Sequence, residues 1–233
     1  MEKKKYFKEL QYKLGIIFKD ESLLNIALTH SSYANQKEHV KYNERLEFLG
    51  DSVLQLVITE YLFMNYKEKS EGELSKKRSL IVCENSLFEV AQKWKLGEYM
   101  IMSKGEELTG GRYRPSILAD CVEAIIAAIY LDRGIEVVKT FIIGNFKSII
   151  NRAMKNEIIL DYKTKLQEKL QEHGDVDIIY DLIKFEGPPH RRKFFTQVKI
   201  KHDVLGKGEG YSKKEAEQNA AKEAIKNMEE QNE

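Results

Sequence analysis

The apolar periodicity of the chain changes once, between residues 151 and 161, and no other feature restricts its architecture as much. Before that point apolar side chains recur three and four apart, the spacing of a helix face. Residues 20–28 open with acids and then follow this pattern, residues 44–66 and 117–131 are long apolar helical segments, and residues 75–96 and 135–150 read as amphipathic helices. The first proline is Pro115, and little alternation interrupts the helical pattern. After residue 161 a helical stretch leads to residues 178–180 and 193–200, which alternate as strands do, with Pro188 and Pro189 in the loop between them. Residues 204–211 form a third, glycine-rich strand, and an alanine-rich helix begins at Ser212. The expected architecture is an all-α domain over residues 1–151, a linker over 152–160, and a small α+β domain of order α-β-β-β-α over 161–229.

With 42% apolar and 32% charged residues, the chain can bury a core. Its longest apolar run, residues 124–131, is far shorter than the roughly 18 residues of a membrane span. No apolar stretch of signal-peptide length follows the basic start, and the two cysteines, Cys83 and Cys121, sit in helical patterns that suit buried thiols. A cytoplasmic protein with no membrane partner is expected. The net charge of +1 points to no polyanionic partner by itself, but an average can hide local patches.

Acids stand where the pattern is otherwise apolar. Glu44, Glu47 and Asp51 are spaced by three and four, so they share one helix face, amid Leu46, Phe48, Leu49, Val53 and Leu54. A helix apolar on nearly every side is normally buried. Asp120 and Glu123, three apart, interrupt a second apolar helix in the same way. Removing a carboxylate from water costs several kcal/mol unless it is neutralised, paired or bound to metal. Packing the two helices together could bring Glu47, Asp51, Asp120 and Glu123 to one point, a set of hard oxygen donors suited to Mg²⁺ or Mn²⁺. Solvated or lysine-paired acids are the competing reading, and the residues alone leave both open. His30, between hydroxyl residues without a nucleophile or acid in triad order, reads as structural, and residues 105–111 as a surface loop.

In the second domain Ser212 and Glu215 fit a capping box, which puts Lys213 and Lys214 in the first helical turn, where the helix dipole disfavours cations. Two lysines beside free backbone amides suit a phosphate, and the glycines at 206, 208 and 210 would let a backbone come close. Between Lys184 and Lys201 six basic residues face one acid, Glu186.

The run Glu44-Arg45-Leu46-Glu47-Phe48-Leu49-Gly50-Asp51-Ser52 resembles the nine-residue signature of bacterial ribonuclease III, and residues 118–124 its second acidic motif. Residues 161–168, 187–190 and 208–217 resemble the three blocks of a double-stranded RNA-binding domain. The resemblance implies a dimerising helical endonuclease domain joined to an RNA-binding domain. It implies Mg²⁺-dependent hydrolysis of double-stranded RNA, with Mn²⁺ able to substitute and no organic cofactor. The products would carry 5′-phosphate and 3′-hydroxyl ends with short 3′ overhangs, from substrates such as rRNA precursors and structured mRNAs. Carried onto matching positions, Glu47, Asp51, Asp120 and Glu123 would ligate metal, Asp51 and Glu123 being the essential pair, with Glu44 and Glu71 as accessory acids. Thr164, Gln167, Glu168, Gln171 and His190 would meet RNA minor grooves, while Lys213 and Lys214 bridge the phosphates between them. A duplex binder without catalysis would be favoured by the loss of one of the four acids, yet all are present. A helical protein that binds no RNA has no use for lysines directly after Ser212.

Overall fold

The computed structural model describes residues 2–37, 39–158, 161–171, 176–188, 192–201 and 203–230. It divides into two units, residues 1–158 and 159–233. The first contains α1 (Glu2–Leu14), α2 (Glu21–Ala27), α3 (Ser31–Ala34), α4 (Glu44–Asn65), α5 (Glu71–Ile81), α6 (Glu84–Trp94), α7 (Lys104–Leu108), α8 (Pro115–Arg133) and α9 (Ile135–Met154). The second runs α10 (Tyr162–Gln171), β1 (Ile178–Glu186), β2 (Lys193–Ile200), β3 (Asp203–Gly210) and α11 (Lys213–Glu230).

Helix α8 is the axis of the first unit. Pro115 starts it, where a missing N–H costs nothing, and Gly134 at φ +81° turns the chain into α9. Its apolar residues from Ala124 to Ile129 are fully buried. Helix α4 packs along it, so that Leu54, Ile58 and Leu62 share one core with Ile125, Ile126 and Ile129. The two backbones come close at Gly50, where a Cβ would lie 1.8 Å from the Glu123 carbonyl oxygen. Only glycine fits there.

Four features of this unit differ from the sequence reading. Helix α4 is not buried all round: Phe48 is 80% and Leu56 60% exposed, and Phe63 continues the same stripe. Residues 75–96 are not one helix, because Cys83 is extended (ψ 160°) and caps α6, leaving its thiol half-buried rather than buried. Residues 105–111 are not a bare loop. Arg112 ties this segment to the Gly97 and Met100 carbonyls (2.8 and 2.9 Å), and Arg114 pairs with Glu106 at 2.6 Å. Helix α9 continues to Met154, into the segment expected as linker, since Ala153 is buried and its carbonyl accepts from the buried Lys77 Nζ at 2.7 Å.

In the second unit the antiparallel sheet has the order β1-β2-β3, with bulges at Leu182/Lys184 and Val198/Lys199. Helices α10 and α11 bury Leu166, Ala220, Ala221, Ala224 and Ile225 against Val198. The β3 glycines serve this packing: a Cβ at Gly208 would lie 2.1 Å from the Ala220 nitrogen, and one at Gly206 2.5 Å from the Ala220 carbonyl. The backbone that comes close to them is that of α11.

A carboxylate valley and a candidate duplex-RNA face

The crossing at Gly50 sets the acids of α4 beside those of α8. Glu123, half-buried, is pushed from the ordinary glutamate value up to about 8, first by desolvation and then by repulsion from Asp51, Glu47 and Asp120. Glu47 is raised by desolvation, then by Asp120, Glu44 and Asp51. Asp120 is raised by desolvation, Glu84 and Glu44, against an opposing pull from His30. Glu44, Glu47, Asp51, Asp120 and Glu123 therefore form one electrostatic neighbourhood. None of them forms an ion pair among the described residues.

The loop that carries His30 is tied to the start of α4. The His30 amide donates to the Ile101 carbonyl (2.9 Å), and the Asn43 amide at the start of α4 donates to the Thr29 carbonyl (2.9 Å). Next to it, His30 Nδ1 lies 2.9 Å from Ser32 Oγ, which accepts from the Ser103 amide at 3.1 Å. His30 thus caps α3 as a structural histidine and also acts electrostatically on Asp120. Two participants escaped the sequence reading. Gln55 Nε2 donates to both oxygens of Asp51 at 2.9 Å and fixes that carboxylate; the i,i+4 spacing was its only signal. Glu84, at the first position of α6, had none.

Glu71 lies elsewhere. It is exposed on α5, accepts from Ser75 Oγ at 2.8 Å, and lines an apolar groove with Leu62, Phe63 and Leu74. It does not act on the shifted acids Glu47, Asp120 and Glu123.

Does the valley suit a divalent cation? Among the described residues no three His, Cys, Asp or Glu side chains are gathered tightly enough to hold one as they stand. Repulsion among like charges in a partly desolvated valley favours such splaying. The donor chemistry fits: hard carboxylate oxygens, those of Glu47, Asp120 and Glu123 shifted toward the neutral form by desolvation and by neighbouring acids, are what a divalent cation would draw together.

In the second unit Thr164, Gln167, Glu168 and Gln171 fall three and four apart on α10 and are all exposed, opposite the buried Leu166. Thr164 Oγ1 donates to Asp161 Oδ2 (2.7 Å), and Gln218 Nε2 donates to Asp161 Oδ1 (2.9 Å). These bonds hold the Asp161 carboxyl at about 2 and fix the start of α10. At α11 the Glu215 amide donates to Ser212 Oγ (3.1 Å), whereas the Glu215 carboxylate accepts from the Tyr211 amide (2.7 Å), one residue earlier than a standard capping box. Lys213 and Lys214 are exposed and make no ion pair among the described residues. His190 lies outside the described residues.

Residues 20–150 match the ribonuclease-III-like family, and residues 162–228 match the double-stranded RNA binding motif. The chain is 73% identical over 222 residues to ribonuclease 3 of Clostridium tetani, covering 95% of this chain and 94% of that protein. It is 65% identical over 228 residues to ribonuclease 3 of Clostridium kluyveri, covering 98% and 93% respectively. A solved nuclease domain of ribonuclease III from Campylobacter jejuni, described by its flexibility in a region involved in dimer formation, superposes with a TM-score of 0.57 at 46% identity. That match covers 60% of this chain and 95% of the other. No described helix is long and apolar enough to cross a membrane. The chain therefore belongs to the bacterial ribonuclease III family, double-stranded-RNA endoribonucleases that join a helical nuclease unit to a double-stranded RNA-binding unit.

Proposed function

We propose that this endoribonuclease hydrolyses RNA duplexes at the valley between α4 and α8, with Mg²⁺ held by Glu47, Asp51, Asp120 and Glu123. The observation that carries this is the close crossing at Gly50, which sets the acids of α4 against Glu123 of α8 with no ion pair to neutralise them among the described residues. Held by these residues, Mg²⁺ would supply Lewis acidity to water and charge compensation at the phosphate. Mn²⁺, equally partial to oxygen donors, serves in its place. The protein's share is positional. Gln55 holds Asp51 in one orientation, and Glu123, whose carboxyl burial and neighbouring acids push up to about 8, would give up its proton to ligate the cation. Asp51 and Glu123 are the catalytically essential pair and Glu44 an accessory acid in the same field, whereas Glu71, in a separate groove, stands apart from this set. The products carry 5′-phosphate and 3′-hydroxyl ends.

One valley serves one strand, so cutting both strands with a short 3′ overhang calls for a two-fold homodimer. The exposed stripe of Phe48, Leu56 and Phe63 on α4 supplies the apolar surface for it. Thr164, Gln167, Glu168 and Gln171 read minor-groove 2′-hydroxyls together with the His190 loop, and Lys213 and Lys214 span the phosphates between. Glu168 belongs in this set because a carboxylate accepts from a 2′-hydroxyl. rRNA precursors and structured mRNAs in the cytoplasm offer such duplexes. Incubating the protein with a long RNA duplex tests the proposal: cutting with Mg²⁺ that EDTA abolishes is expected, and binding without cutting under any divalent metal would overturn it.

A further inference from the structure

We infer that the helical unit carries a second contact for the RNA backbone, a basic groove between the C-terminal halves of α6 and α9. This rests on the duplex-RNA reading above and adds a phosphate-binding surface that the acid valley and the second unit do not include. The groove has a volume of about 450 Å³ and is lined by Lys93 from α6 and by Lys147, Ser148, Asn151, Arg152 and Lys155 on and just after α9. Lys147, Asn151 and Lys155 are four residues apart and therefore share a face. Lys93, Lys147 and Lys155 are exposed and form no ion pair among the described residues. Arg152 gives one terminal nitrogen to Glu89, while its Nε has no acceptor. Glu157 is the acid in the lining, so positive charge prevails.

Helix dipoles account for part of this, since Lys93 and Arg152 lie in the last turns of α6 and α9. They do not account for Lys147, about two turns from the end of α9, a region where the dipole no longer acts. The lining is polar, with hydroxyl, amide and ammonium donors, and this suits phosphate oxygens better than an apolar partner. The groove also ends where the chain leaves the helical unit: residues 156–160 are all that separate Lys155 from Asp161, which caps the first helix of the RNA-binding unit. A fully extended chain spans roughly 20 Å over those links, which bounds the separation of Lys155 from Asp161.

The test uses the full chain in EDTA with a long RNA duplex, measuring affinity across a salt series for the protein itself, for Lys93→Gln/Lys147→Gln/Lys155→Gln and for Lys213→Ala/Lys214→Ala. The triple variant is expected to bind at least about tenfold more weakly at moderate salt, with the slope of log K against log salt reduced by about 2–3. Lys155→Glu alone should move both quantities in the same direction, and thermal melting checks that each variant is folded. Unchanged affinity and slope in the folded triple variant, with the Lys213/Lys214 variant still weakened, would overturn this inference alone and assign the groove to an acidic protein. No salt-dependent duplex binding by the unsubstituted protein would instead overturn the duplex-RNA reading beneath it.

Discussion

Gly50 of α4 faces the backbone carbonyl of Glu123 on α8 so closely that a single added carbon would overlap it, at 1.8 Å. The residue that lets the two core helices touch thus stands one position before Asp51 and against Glu123, and packing sets the spacing of the acids. Gly50→Ala must push the helices apart or bend them. We expect a loss of about 3 kcal/mol, the upper range of overpacking costs, or a fall in Tm of roughly 6–12 °C. Cleavage should fall further than stability explains. An unchanged melting curve would show that the helices are not held this closely.

The raised Glu123 carboxyl makes stability depend on pH. The folded state holds this proton up to about 8, whereas the unfolded chain releases it near 4.5. Its contribution is therefore complete below about pH 4.5 and is lost progressively as pH rises through about 8. In EDTA, Tm should decline across that window, and Mg²⁺ should restore it at the alkaline end. Glu123→Gln should flatten the decline and raise the metal-free Tm near pH 8 by about 2–4 °C, equivalent to on the order of 1 kcal/mol. A decline just as steep in the variant would mean that other groups cause it.

Phe48 is 80% exposed although Leu46, two residues before it, is buried in the core. If its stripe is the dimer surface, Phe48→Glu should shift the protein from dimer to monomer in sedimentation at micromolar concentration while helix content stays constant. A variant that remains dimeric would place the interface elsewhere.

Lys213→Ala with Lys214→Ala should weaken binding to all RNA duplexes alike and lower the salt slope by about 2, because phosphate contacts carry no sequence information. An effect confined to particular sequences would contradict a phosphate role for these lysines.

Much of this was legible in the sequence, because periodicity reports which side chains share a face. The α4 and α8 segments, β2 and the α11 start followed from spacing, as did the placing of Glu44, Glu47 and Asp51 on one face of α4 and of Asp120 and Glu123 on one face of α8. Periodicity does not report what covers a face, and so α4 read as buried although one stripe of it is open. Nor does it report a break without glycine or proline, as at Cys83, where Ser86 Oγ donates to the Leu80 carbonyl at 2.8 Å between the two helices. The β3 glycines were visible, but not their partner: whether a bare backbone admits a ligand or a helix depends on residues ten or more positions away. Gln55 was hidden for a simpler reason, since a glutamine on a helix is unremarkable until the carboxylate it holds is known to matter.

The most direct test of the central claim separates binding from chemistry at Asp51 and Glu123. Asp51→Asn and Glu123→Gln should each bind a long RNA duplex with unsubstituted affinity in EDTA and, given Mg²⁺, cut it at least about 100-fold more slowly, the loss expected when essential charge stabilisation is removed. Cleavage by either variant at a rate near that of the unsubstituted protein would contradict a metal-dependent active site at this valley.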